Sequence, residues 1–118
     1  MALYAERINA HRFELVAPLI ADEAVFWFGD GSHRGHAAIS RAFAATWRVL
    51  SDETYWLEDV EWIARGDRAA VCVYRFCWRA SVDGVPTTGS GRGTSVLADG
   101  ADGWQIVHEH LSPEPDRS

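Results

Sequence analysis

The two halves of the chain have different hydrophobic periods, and each period predicts a different secondary structure. In the first half, apolar residues recur at helical spacing and predict short helices near residues 3–10 and 12–20. The same spacing predicts a longer helix over about residues 36–50. Before that helix, an apolar run at residues 24–28 predicts a short buried strand, and the Gly-Asp-Gly sequence at residues 29–31 predicts a turn.

Polar and apolar residues alternate through most of the second half, over residues 55–64, 69–80, 88–97 and 104–111. Turn sequences separate these runs, and Asp83-Gly84 is a strong hairpin signal. Four strands joined by three hairpins form an antiparallel meander. Helices followed by a meander predict a single α+β domain with the helices on one face of the sheet. The 118 residues are enough for one hydrophobic core.

The alternation along residues 69–80 predicts which face of the sheet meets the helices. One side of this run is rich in aromatic residues and is expected to pack on the helices: Cys72, Tyr74, Phe76 and Trp78. The other side has an apolar half and an arginine half, which is typical of a sheet face that a second subunit partly covers. The pattern therefore favours a homodimer.

Three glycines share one side of the run at residues 88–97, namely Gly89, Gly91 and Gly93. Glycines weaken a strand because they provide no side chain to pack. We therefore expect either a sharp bend of the sheet here or the close approach of another group to the bare backbone.

The charge of the chain argues against two classes of partner. The net charge is −6, and the 11 basic residues are all arginines scattered along the chain. Nucleic acid and anionic membranes, which need a basic stripe, are therefore not expected partners. Glu6 and Arg7 argue against a secretory signal, and no apolar run approaches the ~20 residues of a membrane span. We expect a cytoplasmic protein.

Several local sequences resemble the SnoaL-like branch of the nuclear transport factor 2-like superfamily. The resemblance lies in Asp30-Gly31, in the helix start Arg-Gly-His-Ala-Ala-Ile at residues 34–39, in Arg-Gly-Thr at residues 92–94, and in the closing residues 103–112. Together with the order of elements, these sequences predict one SnoaL-like domain at residues 1–112. The remaining residues, 113–118, are expected to form a disordered tail.

The resemblance implies a cone-like fold, in which a curved antiparallel sheet wraps around three N-terminal helices and a pocket opens at one end. It also implies dimers formed through the outer face of the sheet. Members of the superfamily include polyketide cyclases, steroid isomerases, dehydratases, epoxide hydrolases and proteins without known activity, so the fold alone does not define a function. The expected ligand is a small apolar organic molecule, and no cofactor or metal is expected.

His108 and His110 are the main candidates for proton transfer. They are two residues apart on a predicted strand and therefore share a side. If that side faces the pocket, the two imidazoles can carry protons at a carbonyl or hydroxyl group. One alternative is a structural histidine bonded to Thr94 or the backbone, and another is a metal site with His33 or His36 as a further ligand.

Further candidates lie on the neighbouring strands and turns. Arg92 and Thr94 share a side of their strand, and the guanidinium can bind a ligand carboxylate or an enolate oxygen. The alternative for Arg92 is an ion pair with an acid such as Glu58. The other candidates are Glu58, Asp59 and Asp30 as bases, Tyr55 and Tyr74 as oxygen donors, and Trp27 at the rim of the pocket.

Two classes of function remain open from the sequence. The first is an acid–base enzyme in which His108 and His110 carry protons and Arg92 or Tyr74 stabilises an oxyanion. The second is a non-catalytic ligand-binding or dimerisation module, in which the same groups orient a ligand or bind one another. Catalysis requires a titratable group with a shifted pKa in an accessible pocket, whereas binding requires only the pocket.

Overall fold

Three helices lie on the inner side of a curved, open, six-stranded sheet in the computed structural model, which describes residues 1–100 and 103–115. The helices are α1 (Ala2–Ile8), α2 (Phe13–Val16) and α3 (Gly35–Val49), and a 3₁₀ turn at Ala17–Leu19 follows α2. The strands are β1 (Ile20–Phe28), β2 (Gly31–Arg34), β3 (Ser51–Arg65), β4 (Ala69–Val82), β5 (Val85–Gly100) and β6 (Gly103–Pro113). No helix in the described ranges is long and apolar enough to cross a membrane.

The strand order in the sheet is β2-β1-β6-β5-β4-β3. Strands β3 to β6 form the expected antiparallel meander, and β1 pairs with β6 in parallel. Asp83 and Gly84 join β4 to β5 with φ angles of 51° and 79°, as a two-residue hairpin turn requires. The third expected turn includes residues 101–102, and the expected tail includes residues 116–118; both segments lie outside the described residues.

The predicted α+β class is confirmed, but the first half of the chain contains more strand than its hydrophobic pattern indicates. β1 begins at Ile20, four residues before the apolar run, because Ile20 already pairs with Ile106 of β6. Residues 31–34 form β2, which pairs with β1 and covers its outer edge. The second helix is correspondingly short, since Pro18 lies in a 3₁₀ turn after Val16. A short edge strand with exposed polar residues carries no hydrophobic signal that predicts it.

The core lies between the helices and the inner face of the sheet. Its most deeply buried side chains come from both layers: Ile20, Phe26, Ile39 and Ile106, each with at most 2% of its surface exposed. Tyr74 and Cys72 of β4 are buried, and Phe76 and Trp78 pack against the same core. The aromatic side of β4 therefore meets the helices, as its alternation predicts.

The glycines of β5 lie directly opposite the aromatic residues of β4. The pairs are Gly89 with Trp78, Gly91 with Phe76, and Gly93 with Tyr74. In each pair the ring lies over the backbone of the glycine, in the space that a Cβ atom would take. The sequence predicts either a sharp bend or the close approach of another group at these glycines. The structure shows the close approach, and the approaching groups are the aromatic rings of β4. The rings offset the weakness of the glycine run because they pack on bare backbone.

We expect Gly93→Ala to lower the free energy of unfolding by about 1–3 kcal/mol, because the added methyl overlaps the Tyr74 ring and lies 2.8 Å from Leu111. Chemical denaturation measures the change. Gly100→Ala is the matched control, since its Cβ would meet no atom of the described residues within 4 Å, and it should change the stability by less than about 0.5 kcal/mol. Equal losses of stability in the two variants would show that overlap with the Tyr74 ring does not cause the loss.

Candidate active site

A cavity of about 520 Å³ lies between the helices and the inner face of the sheet. This volume is in the range of small-molecule sites. Seven aromatic rings from both layers line it: Tyr4, Phe28, Phe43, Trp47, Tyr55, Phe76 and Trp78. Exposed Gly29 and Asp30 lie at its mouth.

The charged groups of the cavity are all acidic. Asp30, Glu53 and Glu109 line it, and none of the described lining residues is an arginine, lysine or histidine. Glu53 and Glu109 are buried, with 7% and 1% of their surfaces exposed. An anionic ligand would meet no opposite charge on this wall, so the cavity suits neutral or cationic molecules.

Glu109 is held by three hydroxyl groups from three different elements. Tyr4 of α1 donates to Oε2 at 3.1 Å, while Tyr74 of β4 and Ser95 of β5 donate to Oε1 at 3.2 and 3.3 Å. The hydroxyl oxygens of Tyr74 and Ser95 are also 2.8 Å apart, so one of these two hydroxyls shares its hydrogen between the other hydroxyl and the Glu109 carboxylate. The network fixes the carboxyl group against the inner face of the sheet and ties α1 to three strands.

Burial raises the pKa of Glu109 to about 7, since removal from water disfavours the charged form. The three hydroxyl donors limit this rise because they stabilise the carboxylate. Burial, followed by the nearby Glu109 charge, also raises the pKa values of Tyr4 and Tyr74. Both phenols therefore stay protonated at neutral pH, whereas Glu109 titrates there.

Glu53 lies beside an irregularity at the start of β3. Asp52 has a left-handed φ of 53°, and the pairing with β4 shifts between Ser51 and Thr54. Aspartate tolerates this conformation better than most residues. Glu53 and Tyr55 are two residues apart and both point inward, and the backbone oxygen of Glu53 is 3.0 Å from Nε2 of His11.

The pKa of Glu53 is also raised to about 7, mainly by burial. The indole N–H of Trp47 is close enough to the carboxyl group to limit the rise, but it lies outside hydrogen-bonding geometry. Glu109 is bonded by hydroxyl groups, whereas no hydroxyl group of the described residues bonds to the Glu53 carboxyl group. That carboxyl group is free to act on a bound molecule.

Burial raises the pKa of Tyr55, and the charges of Glu109 and Glu53 raise it further. Its backbone is clamped by Asn9, which accepts from the Tyr55 N–H at 2.6 Å and donates to the Tyr55 carbonyl at 2.9 Å. The phenol makes no hydrogen bond to another described residue. Its O–H group can therefore donate a hydrogen bond to a molecule bound in the cavity.

A family model described as a SnoaL-like domain matches residues 2–111. The chain belongs to the SnoaL-like family. A search of curated proteins found no significant match.

Solved structures agree with this assignment. A nuclear transport factor 2-like superfamily protein from Salmonella enterica serovar Typhimurium LT2 is 25% identical, with a TM-score of 0.88 over 98% of this chain and 86% of that one. A candidate dehydratase of the same superfamily from Streptomyces avermitilis is 18% identical, with a TM-score of 0.80 over 98% and 90%. A candidate aromatic ring hydroxylase from Novosphingobium aromaticivorans is 19% identical, with a TM-score of 0.85 over 96% and 82%. The likeness to the last two is one of fold.

The histidine pair of this SnoaL-like domain lies on the outer face of the sheet. His108 Nδ1 is 2.7 Å from the carbonyl oxygen of Val25, and both His108 and His110 pack edge-on against Trp27, with ring centroids 5.1 and 5.4 Å apart. None of these three predicted site residues lines the cavity. The catalytic interpretation of the histidines required them to face the pocket, and this condition is not met.

A β-bulge at Val107 explains the placement. Val96 of β5 pairs with His108, but the next residue, Leu97, pairs with Ile106, so β6 contains one extra residue. A bulge of this kind reverses the side on which the following residues point. Ile106 and Glu109 therefore both face inward, while His108 and His110 face outward.

The SnoaL-like sheet also places Arg92, Thr94 and Glu58 on its outer face. Arg92 lies opposite Arg75, and Thr94 lies opposite His110. Glu58 was a candidate ion-pair partner of Arg92. In the structure it pairs with a different arginine, Arg75, at 2.9 Å.

Two of the predicted residues reach the interior, whereas His33 of β2 and His36 of α3 do not. Tyr55 lines the cavity, and Tyr74 contacts it through Glu109. His33 bonds to Asp30, and His36 bonds to the carbonyl oxygen of Ile20. Within the described ranges, no three His, Cys, Asp or Glu side chains converge as metal ligands.

Proposed function

We propose that this SnoaL-like protein catalyses an acid–base reaction of isomerase, cyclase or dehydratase type on a small, neutral, largely apolar organic molecule. One observation carries the proposal: two buried carboxyl groups, each with a pKa of about 7, line one aromatic cavity together with Tyr55. A pKa near the working pH is what a general acid or base requires.

The three groups suit different tasks. Glu53, without hydroxyl donors of its own, is proposed as the base that removes a proton from the substrate. Tyr55 is proposed to donate to the oxygen on which negative charge develops. Glu109 is held rigidly by its hydroxyl network and is proposed to position Tyr4 and Tyr74 and to supply a second proton.

The elimination of 5-nitrobenzisoxazole tests the proposed base without knowledge of the natural substrate. This molecule is neutral and aromatic, and its reaction needs only a base. The carboxylate takes the C–H proton, the N–O bond breaks, and a nitrile and a coloured phenolate form. We expect saturable turnover whose rate rises with pH through about 7, since the base acts only when deprotonated. A rate no higher than that of free acetate at equal concentration would contradict the proposal.

The second candidate is a ligand-binding module without catalysis. The Glu109 network supports it, because a carboxyl group with three hydroxyl donors can serve the structure alone. Binding of 5-nitrobenzisoxazole, detected as quenching of tryptophan fluorescence, without any turnover would favour this function.

We further propose that the protein forms a homodimer through the outer face of the sheet. Trp27 is 45% exposed and packs against His108 and His110, so the three rings form one aromatic patch on the outer face that a second subunit could cover. Light scattering after size-exclusion chromatography should give twice the chain mass of 13.1 kDa. Trp27→Glu should shift the mass to the monomer, while Leu15→Glu, at an exposed site on α2, should not. A monomeric wild-type protein at micromolar concentration would contradict the dimer.

A further inference from the structure

The outer face of the sheet carries a histidine pair that the proposed chemistry does not use. His108 and His110 project from β6 on the side away from the cavity, and both pack edge-on against the partly exposed ring of Trp27. Trp27 is proposed above to lie in the homodimer interface. The two imidazoles that contact it therefore belong to the same interface, where each subunit contributes both of them.

The contacts of the pair suit neutral imidazole rings. Nδ1 of His108 is 2.7 Å from the carbonyl oxygen of Val25, which only accepts hydrogen bonds, so Nδ1 carries a hydrogen and Nε2 has the lone pair of the neutral ring. His110 contacts Trp27 through its ring and forms no hydrogen bond to a described residue. Protonation adds an N–H donor and a positive charge to each ring, and the described contacts supply no acceptor for the added donor.

Two arginines lie on the same face as the pair. Arg92 of β5 is opposite Ser112, which shares the outer side of β6 with His110. Arg34 of β2 is opposite Val25 of β1. Both arginines are exposed, and neither forms an ion pair with a described residue. Positive charges on the histidines are therefore added to a face that already carries cations.

The nearby acids do not neutralise the pair. Glu23 is exposed on the same side of β1 as Val25, but no ion pair joins it to either histidine in the described part of the chain. Glu109 follows His108 directly but is buried in the interior. Glu58 and Glu61 belong to β3, which β4 and β5 separate from β6.

We propose that His108 and His110 form a pH-sensitive switch of the homodimer, which is stable while the imidazoles are neutral and dissociates when they are protonated. Imidazole is the side chain that ordinarily changes charge between pH 5 and 8. A charged ring in a subunit interface loses its hydration, and the second subunit brings the same cations to the contact. The inference rests on the homodimer proposed above and concerns assembly rather than the cavity.

Sedimentation velocity over a concentration series measures the dimer Kd at pH 8.0 and pH 5.5. For the wild-type protein, we expect a Kd about tenfold higher, or more, at pH 5.5. In the double variant His108→Gln/His110→Gln, whose side chains stay neutral, the Kd should differ by less than about threefold between the two pH values. His33→Gln is the matched control, since His33 is bonded to Asp30 at the mouth of the cavity, and it should keep the wild-type response.

The wild-type measurements decide the inference without any variant. A dimer whose Kd is the same at both pH values, or lower at pH 5.5, would overturn the switch and leave the homodimer in place. A monomer at both pH values would overturn the homodimer and the switch together. An unchanged pH response in a folded double variant would also overturn the role of the two histidines. Circular dichroism at both pH values distinguishes dissociation from unfolding.

Discussion

Glu53→Gln is expected to lower kcat/KM for 5-nitrobenzisoxazole elimination at pH 8 by about 100-fold or more, the usual contribution of a positioned general base. Glutamine has nearly the same shape but cannot take the proton. Glu53 is buried and its pKa is about 7, so most of the wild-type protein carries the active carboxylate at this pH. Initial rates measured from pH 5 to 9 should also lose their rise through pH 7 in the variant.

Asp30→Asn is the control for this experiment. Asp30 lines the mouth of the same cavity but is exposed and bonded to His33, so its loss should change the rate less than about threefold. If Asp30→Asn removed the activity while Glu53→Gln retained it, the base would be the residue at the mouth, and the role proposed for Glu53 would be wrong. Circular dichroism establishes that both variants are folded.

The second large effect is a loss of stability as the pH rises from about 5 to 8. The pKa of Glu109 is about 7 in the folded protein and near its ordinary 4.5 in the unfolded chain. Between these values the folded state binds more protons, so the free energy of unfolding falls with increasing pH and levels off above about 7. At 1.36 kcal/mol per pKa unit, the expected loss is about 3 kcal/mol for Glu109. Glu53 adds a smaller loss in the same direction because its carboxyl group faces the cavity.

Urea denaturation at pH 5 and pH 8 measures this change. Glu109→Gln should remove most of the pH dependence, because its side chain has no charge to bury. The variant should therefore lose stability relative to the wild type mainly at the lower pH. Glu61→Gln, at an exposed position on β3, should keep the wild-type dependence. A wild-type protein that is more stable at pH 8 than at pH 5 would contradict the burial of a titrating Glu109.

The register between β4 and β5 is implicit in the sequence. A two-residue turn at Asp83-Gly84 pairs Val82 with Val85, and counting outward from this pair places each glycine opposite an aromatic residue. The aromatic side of β4 was assigned to the interior. The same count therefore places Arg92 and Thr94 outside, which alternation within β5 alone does not show.

The position of Glu109 follows no such count. The bulge at Val107 places Glu109 on the inner face and His108 on the outer face, whereas Glu53 shares the inner face with Tyr55 by simple alternation. The local sequence has no glycine or proline to mark the bulge. The fold class was predictable because hydrophobic period is a local property. The face of β6 that meets the cavity was not predictable, because one extra residue in a strand reverses it.

The contact between Gly93 and Tyr74 has a consequence for the natural variation of this domain. A side chain at position 93 displaces the Tyr74 ring, and without that ring Glu109 loses one of its three hydroxyl donors. The glycine, the tyrosine and the acid should therefore be inherited as a unit. Relatives that carry a larger residue at position 93 are expected to lack both partners, and this single position would divide the family into domains with and without a buried acid.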